Sequence, residues 1–182
     1  MKRWLYLILL FLACCKDKKE EPTEKAGSFP VLSFIKSQVA HVDTSLYAII
    51  KVVTIDSNSD TTYIKREEFR REAKDFLDLP DIATPDAMEE YTEEKSFDPL
   101  LNQAVLVYTA KEDEAPVTKE QVYIEPDNGE GDKVKTFIID RVVDKAVRKT
   151  LVWNVDSHFQ IVTRRVSPDG TEKATVTKVI WK

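Results

Sequence analysis

Hydrophobic positions recur along this chain with three different periods, and each period predicts an element. Val31, Ile35, Val39 and Val42 return at helical spacing, and Ser28 with Pro30 suits a helix start, so a helix is predicted from about 30 to 42. Leu46 to Ile55 is rich in β-branched residues and apolar on both faces, which predicts a central strand. Asp56 to Asp60 reads as a turn and Thr61 to Ile64 as a short strand. A helix then follows from about Lys65 to Asp78, with Phe69, Ala73, Phe76 and Leu77 on one stripe and Pro80 closing it. Residues 81–97 carry no clear period, although Thr84-Pro85 suits the start of one helical turn, with Thr84 as cap. Strands are predicted over 102–110, 120–125, 134–143, 147–155, 159–166 and 171–181.

Side-chain alternation ties the last four strands together. A slip of one residue turns every side chain to the opposite face, so loop parity decides the core. Three-residue loops at 144–146, 156–158 and 168–170 gather Phe137, Ile139, Val143, Leu151, Trp153, Val155, Phe159, Ile161, Val179 and Trp181 on one face. The expected fold is α+β. It is an antiparallel β meander of about six to eight strands, covered on one face by two or three helices. The other face collects Ile138, Val142, Val152, Val162, Val176 and Ile180 among Asp140, Arg148, Asn154, Gln160, Arg164 and Lys178. That face is too apolar for plain solvent exposure and too charged for a second core. It reads either as an ordinary exposed sheet surface or as a docking face, and contiguity of the apolar residues would separate the two.

The N-terminus has a different pattern. Lys2 and Arg3 precede an apolar run from Trp4 to Ala13, which is too short for the roughly 20 residues a bilayer span requires. The run ends at Cys14-Cys15, and Lys16 to Ser28 is a charged stretch with no large apolar residue. Such a stretch cannot bury enough surface to fold and reads as a flexible tether. An apolar run, a small residue and then a cysteine resemble the signal of bacterial lipoproteins. The resemblance implies removal of residues 1–13 and acylation of the new N-terminal cysteine. Cys14 is the favoured lipidation site because small Ala13 precedes it, and Cys15 is the alternative. The implied organisation is a signal peptide over 1–13, a lipidated cysteine and tether over 14–28, and a single globular domain over 29–182. The implied location is the envelope of a Gram-negative bacterium, on the outer membrane, facing either the periplasm or the exterior. The body is similar to the small uncharacterised lipoproteins of such bacteria.

Composition narrows the chemistry. The 182 residues hold four glycines and no cysteine beyond Cys14 and Cys15, which excludes a disulfide framework in the body and glycine-rich phosphate loops. The net charge of −5 argues against a nucleic-acid partner. Charge is uneven: residues 81–132 hold fifteen acids and three bases, and residues 133–182 hold five acids and eleven bases. The simplest expectation is that the acidic stretch lies against the basic strands. His41 and His158 form no zinc motif. The loop 126–132 offers oxygens but not the spacing of a calcium loop. Glu89-Glu90 and Glu93-Glu94 are adjacent acids, whereas glycoside hydrolysis requires two carboxyls facing across a cleft. No catalytic residue, metal site or cofactor is predicted, and the chain is not expected to be an enzyme. The expected role is a membrane-anchored binding module for a protein partner. The alternative is a carrier of a hydrophobic ligand such as lipid, in a half-barrel pocket lined by Trp153, Phe159, Ile161 and Trp181.

Overall fold

A computed structural model describes residues 28–126 and 131–182. The apolar run, Cys14, Cys15 and the tether through residue 27 lie outside the described residues, as does the centre of the 126–132 loop. The chain is mostly β. Among the described residues, nine antiparallel strands form one sheet in the order β2-β1-β9-β8-β7-β6-β5-β4-β3, accompanied by four short helices.

The first helix, α1 (Val31–Thr44), buries Val31, Ile35, Val39 and Val42, the stripe read from its spacing. It leads into β1 (Ile49–Ile55), which begins later than its apolar run because Leu46 lies out in solvent. A two-residue turn at Asp56 and Ser57 connects β1 to β2 (Asn58–Ile64), and Asp56 takes a φ of 54° there. The single helix expected over 65–78 is two: α2 (Arg66–Glu72) and α3 (Lys74–Leu77). The break falls at Ala73, whose ψ of 4° leaves the helical range. Phe69, Ala73 and Phe76 stay buried across that break. The one-turn helix α4 (Pro85–Met88) is capped by Thr84, whose side chain accepts from the Ala87 amide.

The strand count exceeds the expected six to eight because of β3 (Tyr91–Asp98). It is an edge strand with almost all side chains exposed, so it lacks the apolar alternation by which a strand is read from sequence. Its chain neighbours follow in order across the sheet: β4 (Gln103–Ala110), β5 (Val117–Glu125), β6 (Lys133–Asp144), β7 (Val147–Asn154), β8 (His158–Val166) and β9 (Glu172–Trp181). Strand β1 then pairs with β9, joining the first and last strands in sequence.

The expected parity holds for the core. Phe137, Ile139, Leu151, Trp153, Phe159, Ile161, Val179 and Trp181 are all buried. Val155 is half-buried, and Val143 is 47% exposed, against expectation. A bulge between Val142 and Asp144 takes Val143 out of register, and the turn shrinks to Lys145-Ala146. The loop between β7 and β8 is Val155-Asp156-Ser157, two residues out of register with the expected pairing. Trp153 therefore pairs with Phe159 and the faces are unchanged. Strands β8 and β9 pair in the expected register.

The core is built from rings. Phe69 and Phe76 from the helices meet Trp153, Phe159 and Trp181 from the sheet. Trp153 stacks on Phe159 at 5.3 Å and 21°, and Phe76 meets Trp153 edge-on at 5.1 Å. Aromatic pairs in these geometries contribute about 0.5–1.5 kcal/mol beyond their buried area.

Candidate functional site

The residues predicted for the second face lie on the side of the sheet away from that core, and all six are half-buried. Ladder partners show how they join. Ile138 sits opposite Val152, Val162 opposite Val176, and Ile180 opposite Ile50. Val152 is opposite Gln160, one alternation from Val162, while Val176 is opposite Thr54, one alternation from Val52. Diagonal neighbours on one face lie roughly 7–8 Å apart, a step that aromatic and long side chains bridge and valines only approach. The apolar residues from Ile138 through Val152, Val162 and Val176 to Val52, Ile50 and Ile180 thus follow one another by ladder and diagonal steps across β6, β7, β8, β9 and β1, with Gln160 and Lys178 lying between Val152 and Val52. Val142 lies on the same face but opposite Arg148, off the end of this band.

Ile50 and Val52 were not anticipated as part of this face. Their segment is apolar on both sides and predicts a central strand, which does not by itself say which of its residues meet the outer face. Lys178, Arg148 and Arg164 alternate with the apolar residues, and Arg164 lies 3.7 Å from Glu172. Asp140 on the same face accepts from the Thr150 hydroxyl at 2.7 Å.

At one margin of the band runs a chain of polar contacts. The Thr136 hydroxyl donates to Asn154 Oδ1 at 3.0 Å, which turns the amide nitrogen toward His158 Nε2, 3.1 Å away. Because that amide can only donate there, Nε2 accepts and Nδ1–H donates to Ser157 Oγ at 3.0 Å. The ring is held neutral. Burial first, then Lys178 and Lys182, push its pKa below the ordinary histidine value. His158 is thus a half-buried, hydrogen-bonded residue. His41 lies against Tyr47, its Nε2 3.5 Å from the phenol oxygen.

On the opposite face, a cleft of about 430 Å³ opens between the helices and the sheet beside Lys51, Glu72, Asp75 and Lys149. Its charges are matched internally. Lys51 meets Glu72 at 2.7 Å, and Lys149 donates to both Asp75 oxygens at 2.6 and 2.8 Å. Arg141 adds a bond to the Asp75 carbonyl. This arrangement fastens α3 to β6 and β7.

Glu120 was not singled out from sequence. It is 3% exposed on the core face of β5, opposite Tyr108 and Ile139, and its Oε1 has no partner. Burial, with Asp81 adding repulsion, pushes its carboxyl up to about 8. Tyr91 closes the same region by donating to the Val117 carbonyl at 2.8 Å, and the Tyr108 oxygen accepts from the Phe29 amide at 3.0 Å. Alternation with Val122 inside β5 was the available signal, because it sets an acid on an apolar parity.

Glu93 and Glu94 alternate along β3 and point to opposite faces, so they do not form a carboxyl pair across a cleft. The acidic stretch occupies β3, β4 and β5 at one edge of the sheet, with its strand acids on β3 and β5 and none on β4, and only β5 borders the basic strands. They meet at the β5–β6 seam, where Lys135 pairs with Glu125 at 2.6 Å. Among the described residues, no group of three or more His, Cys, Asp or Glu is placed to hold a metal ion. Among the same residues no helix is long and apolar enough to cross a membrane. The four residues considered as pocket lining, Trp153, Phe159, Ile161 and Trp181, are buried in the core, and the three rings among them contact one another. No family model, curated protein or solved structure matches the chain.

Proposed function

We propose that this protein is a lipid-anchored module of the Gram-negative cell envelope, seated on the outer membrane, that docks a protein partner on the outer face of its sheet. The body in this reading is a meander whose inner face is covered by helices, which leaves the outer face free. The observation that carries the docking role is the band of half-buried apolar residues that steps from Ile138 to Ile50 across five strands. Scattered valines on an exposed sheet need no partner, but a half-exposed apolar band that crosses five strands, with Lys178 inside it and Arg148 and Arg164 toward one end, suits an apolar surface that carries acidic groups. The anchoring role is supported by the run ending at Ala13-Cys14-Cys15 and by the charged stretch after it.

Capture from native membranes should recover a partner in stoichiometric amount. Val152→Lys or Val162→Glu, each in the centre of the band, should reduce recovery at least about tenfold while circular dichroism shows the fold intact. Recovery should also fall as salt rises, because Arg148 and Arg164 are exposed. Undiminished capture by both variants would remove the docking role. For the anchor, Cys14→Ser should release the protein from membranes and abolish incorporation of labelled fatty acid, whereas Cys15→Ser should leave both unchanged. The reverse pattern would move the acyl chains to Cys15, and membrane retention of a variant with both cysteines changed to serine would exclude a lipid anchor.

A further inference from the structure

Strand β2 ends the sheet and pairs only with β1. Its residues from Asn58 to Tyr63 are all exposed. Open edges invite pairing with another chain, and proteins commonly block them with lysine, proline, a bulge or a covering element. Strand β2 reads Asn-Ser-Asp-Thr-Thr-Tyr-Ile, carries Asp60 as its one charge, and keeps an unshifted register against β1.

The turn shows which backbone groups are free. Ile55 and Asn58 flank a two-residue turn and pair with each other. In such a hairpin the flanking pair exchanges both hydrogen bonds, and every second pair repeats this. Asn58, Asp60, Thr62 and Ile64 therefore direct their N–H and C=O groups toward β1. Ser59, Thr61 and Tyr63 direct theirs away from the sheet.

We propose that a second copy of this chain pairs antiparallel with β2 about a two-fold axis at Thr61, making one sheet continuous through both copies. A two-fold axis normal to the sheet keeps each face on its own side, so opposed residues must share parity. With the axis on Thr61, the two Thr61 residues face each other and their outward N–H and C=O groups exchange bonds. Asp60 then faces Thr62, Ser59 faces Tyr63 and Asn58 faces Ile64. No like charges are opposed, and a Thr–Thr pair is a favourable cross-strand neighbour. The middle of the other edge does not permit this. Centring the same operation on residue 93, 94 or 95 of β3 opposes Glu93 to Glu93, Glu94 to Glu94 or Lys95 to Lys95. Like charges directly opposite are unfavourable, so the sheet is self-complementary at β2 and self-repelling at the middle of β3. A head-to-tail pairing of β2 with β3 would instead continue into a filament. Pairing through one edge strand is a small interface, so the dimer is weak and concentration-dependent.

Sedimentation equilibrium of the full chain in a density-matched non-ionic detergent tests this. A reductant is included so that Cys14 and Cys15 cannot link two copies. The mass should rise from one copy toward two with concentration. Thr61→Pro deletes the central outward N–H without removing a bond to β1, and Thr61→Lys places two ammonium groups at the axis. Both variants should stay at one copy throughout the range, with unchanged far-ultraviolet circular dichroism. Glu94→Lys on the opposite edge should leave the rise unaltered. A mass of one copy at every concentration, growth beyond two, or a dimer that survives both Thr61 substitutions would overturn the proposal.

Discussion

Trp153→Ala is expected to destabilise the fold by about 3–5 kcal/mol, read as a shift of the denaturation midpoint at unchanged slope. Domains of ordinary stability have only about 5–15 kcal/mol in all, so this one change removes a large share. The size follows from the ring contacts. Trp153 is fully buried between Phe76, Phe159 and Trp181, with ring centroids 5.1 to 5.4 Å away. Alanine leaves a cavity that rings from both the helices and the sheet would have to collapse into. Trp153→Phe should cost far less, about 1–2 kcal/mol, because it keeps an aromatic ring against Phe159 and deletes an indole N–H that has no partner. The pair of variants also weighs the carrier alternative. If the space between helices and sheet were a ligand pocket, Trp153→Ala would enlarge it at little cost to the ligand-free protein. A loss of less than about 1 kcal/mol would revive that reading.

How far the sequence could carry the fold depends on where each signal is stored. Helical spacing located α1 because its buried face is set within the segment itself. Loop parity located the core face of β6 to β9 for a similar reason. These strands are consecutive, so a short loop transmits register directly, and even the two-residue offset at Asp156 preserved the faces. Val143 was misplaced because a bulge is a local choice that alternation does not reveal. Strand β3 was missed because an edge strand has only one neighbour to satisfy and is free to carry Glu93 and Glu94. The candidate site was legible in parts. Val152, Val162, Val176 and Ile180 could be placed on one face, but the steps from them to Ile50 and Val52 required the pairing of β1 with β9. Those strands are separated by most of the domain, and no local pattern encodes their register.

Glu120 carries the second large effect, and it appears as a pH dependence that glutamine should abolish. The unfolded chain has this carboxyl near its ordinary value of 4.5, whereas the folded protein holds it at about 8. A carboxyl raised on folding gives its stabilisation fully below the unfolded value and loses it as pH climbs to the folded one. Between those limits the unfolded state has released the proton and the native state still binds it, so stability falls by about 1.4 kcal/mol per pH unit. Over the window the loss is on the order of a few kcal/mol, and above pH 8 this group adds no further slope. The environment accounts for the direction. Tyr108 and Ile139 are its ladder partners, Tyr91 closes the region with its hydroxyl committed to the Val117 carbonyl, and Asp81 supplies repulsion. Glu120→Gln has nearly the same volume and no charge to desolvate. Denaturant midpoints measured from pH 5 to 9 should converge for the two proteins at the acid end. At the alkaline end the variant should be the more stable, by that same few kcal/mol. Parallel profiles would mean that the carboxylate finds a counter-charge or water on ionising. A glutamine variant less stable at pH 9 would mean that the native state holds Glu120 charged.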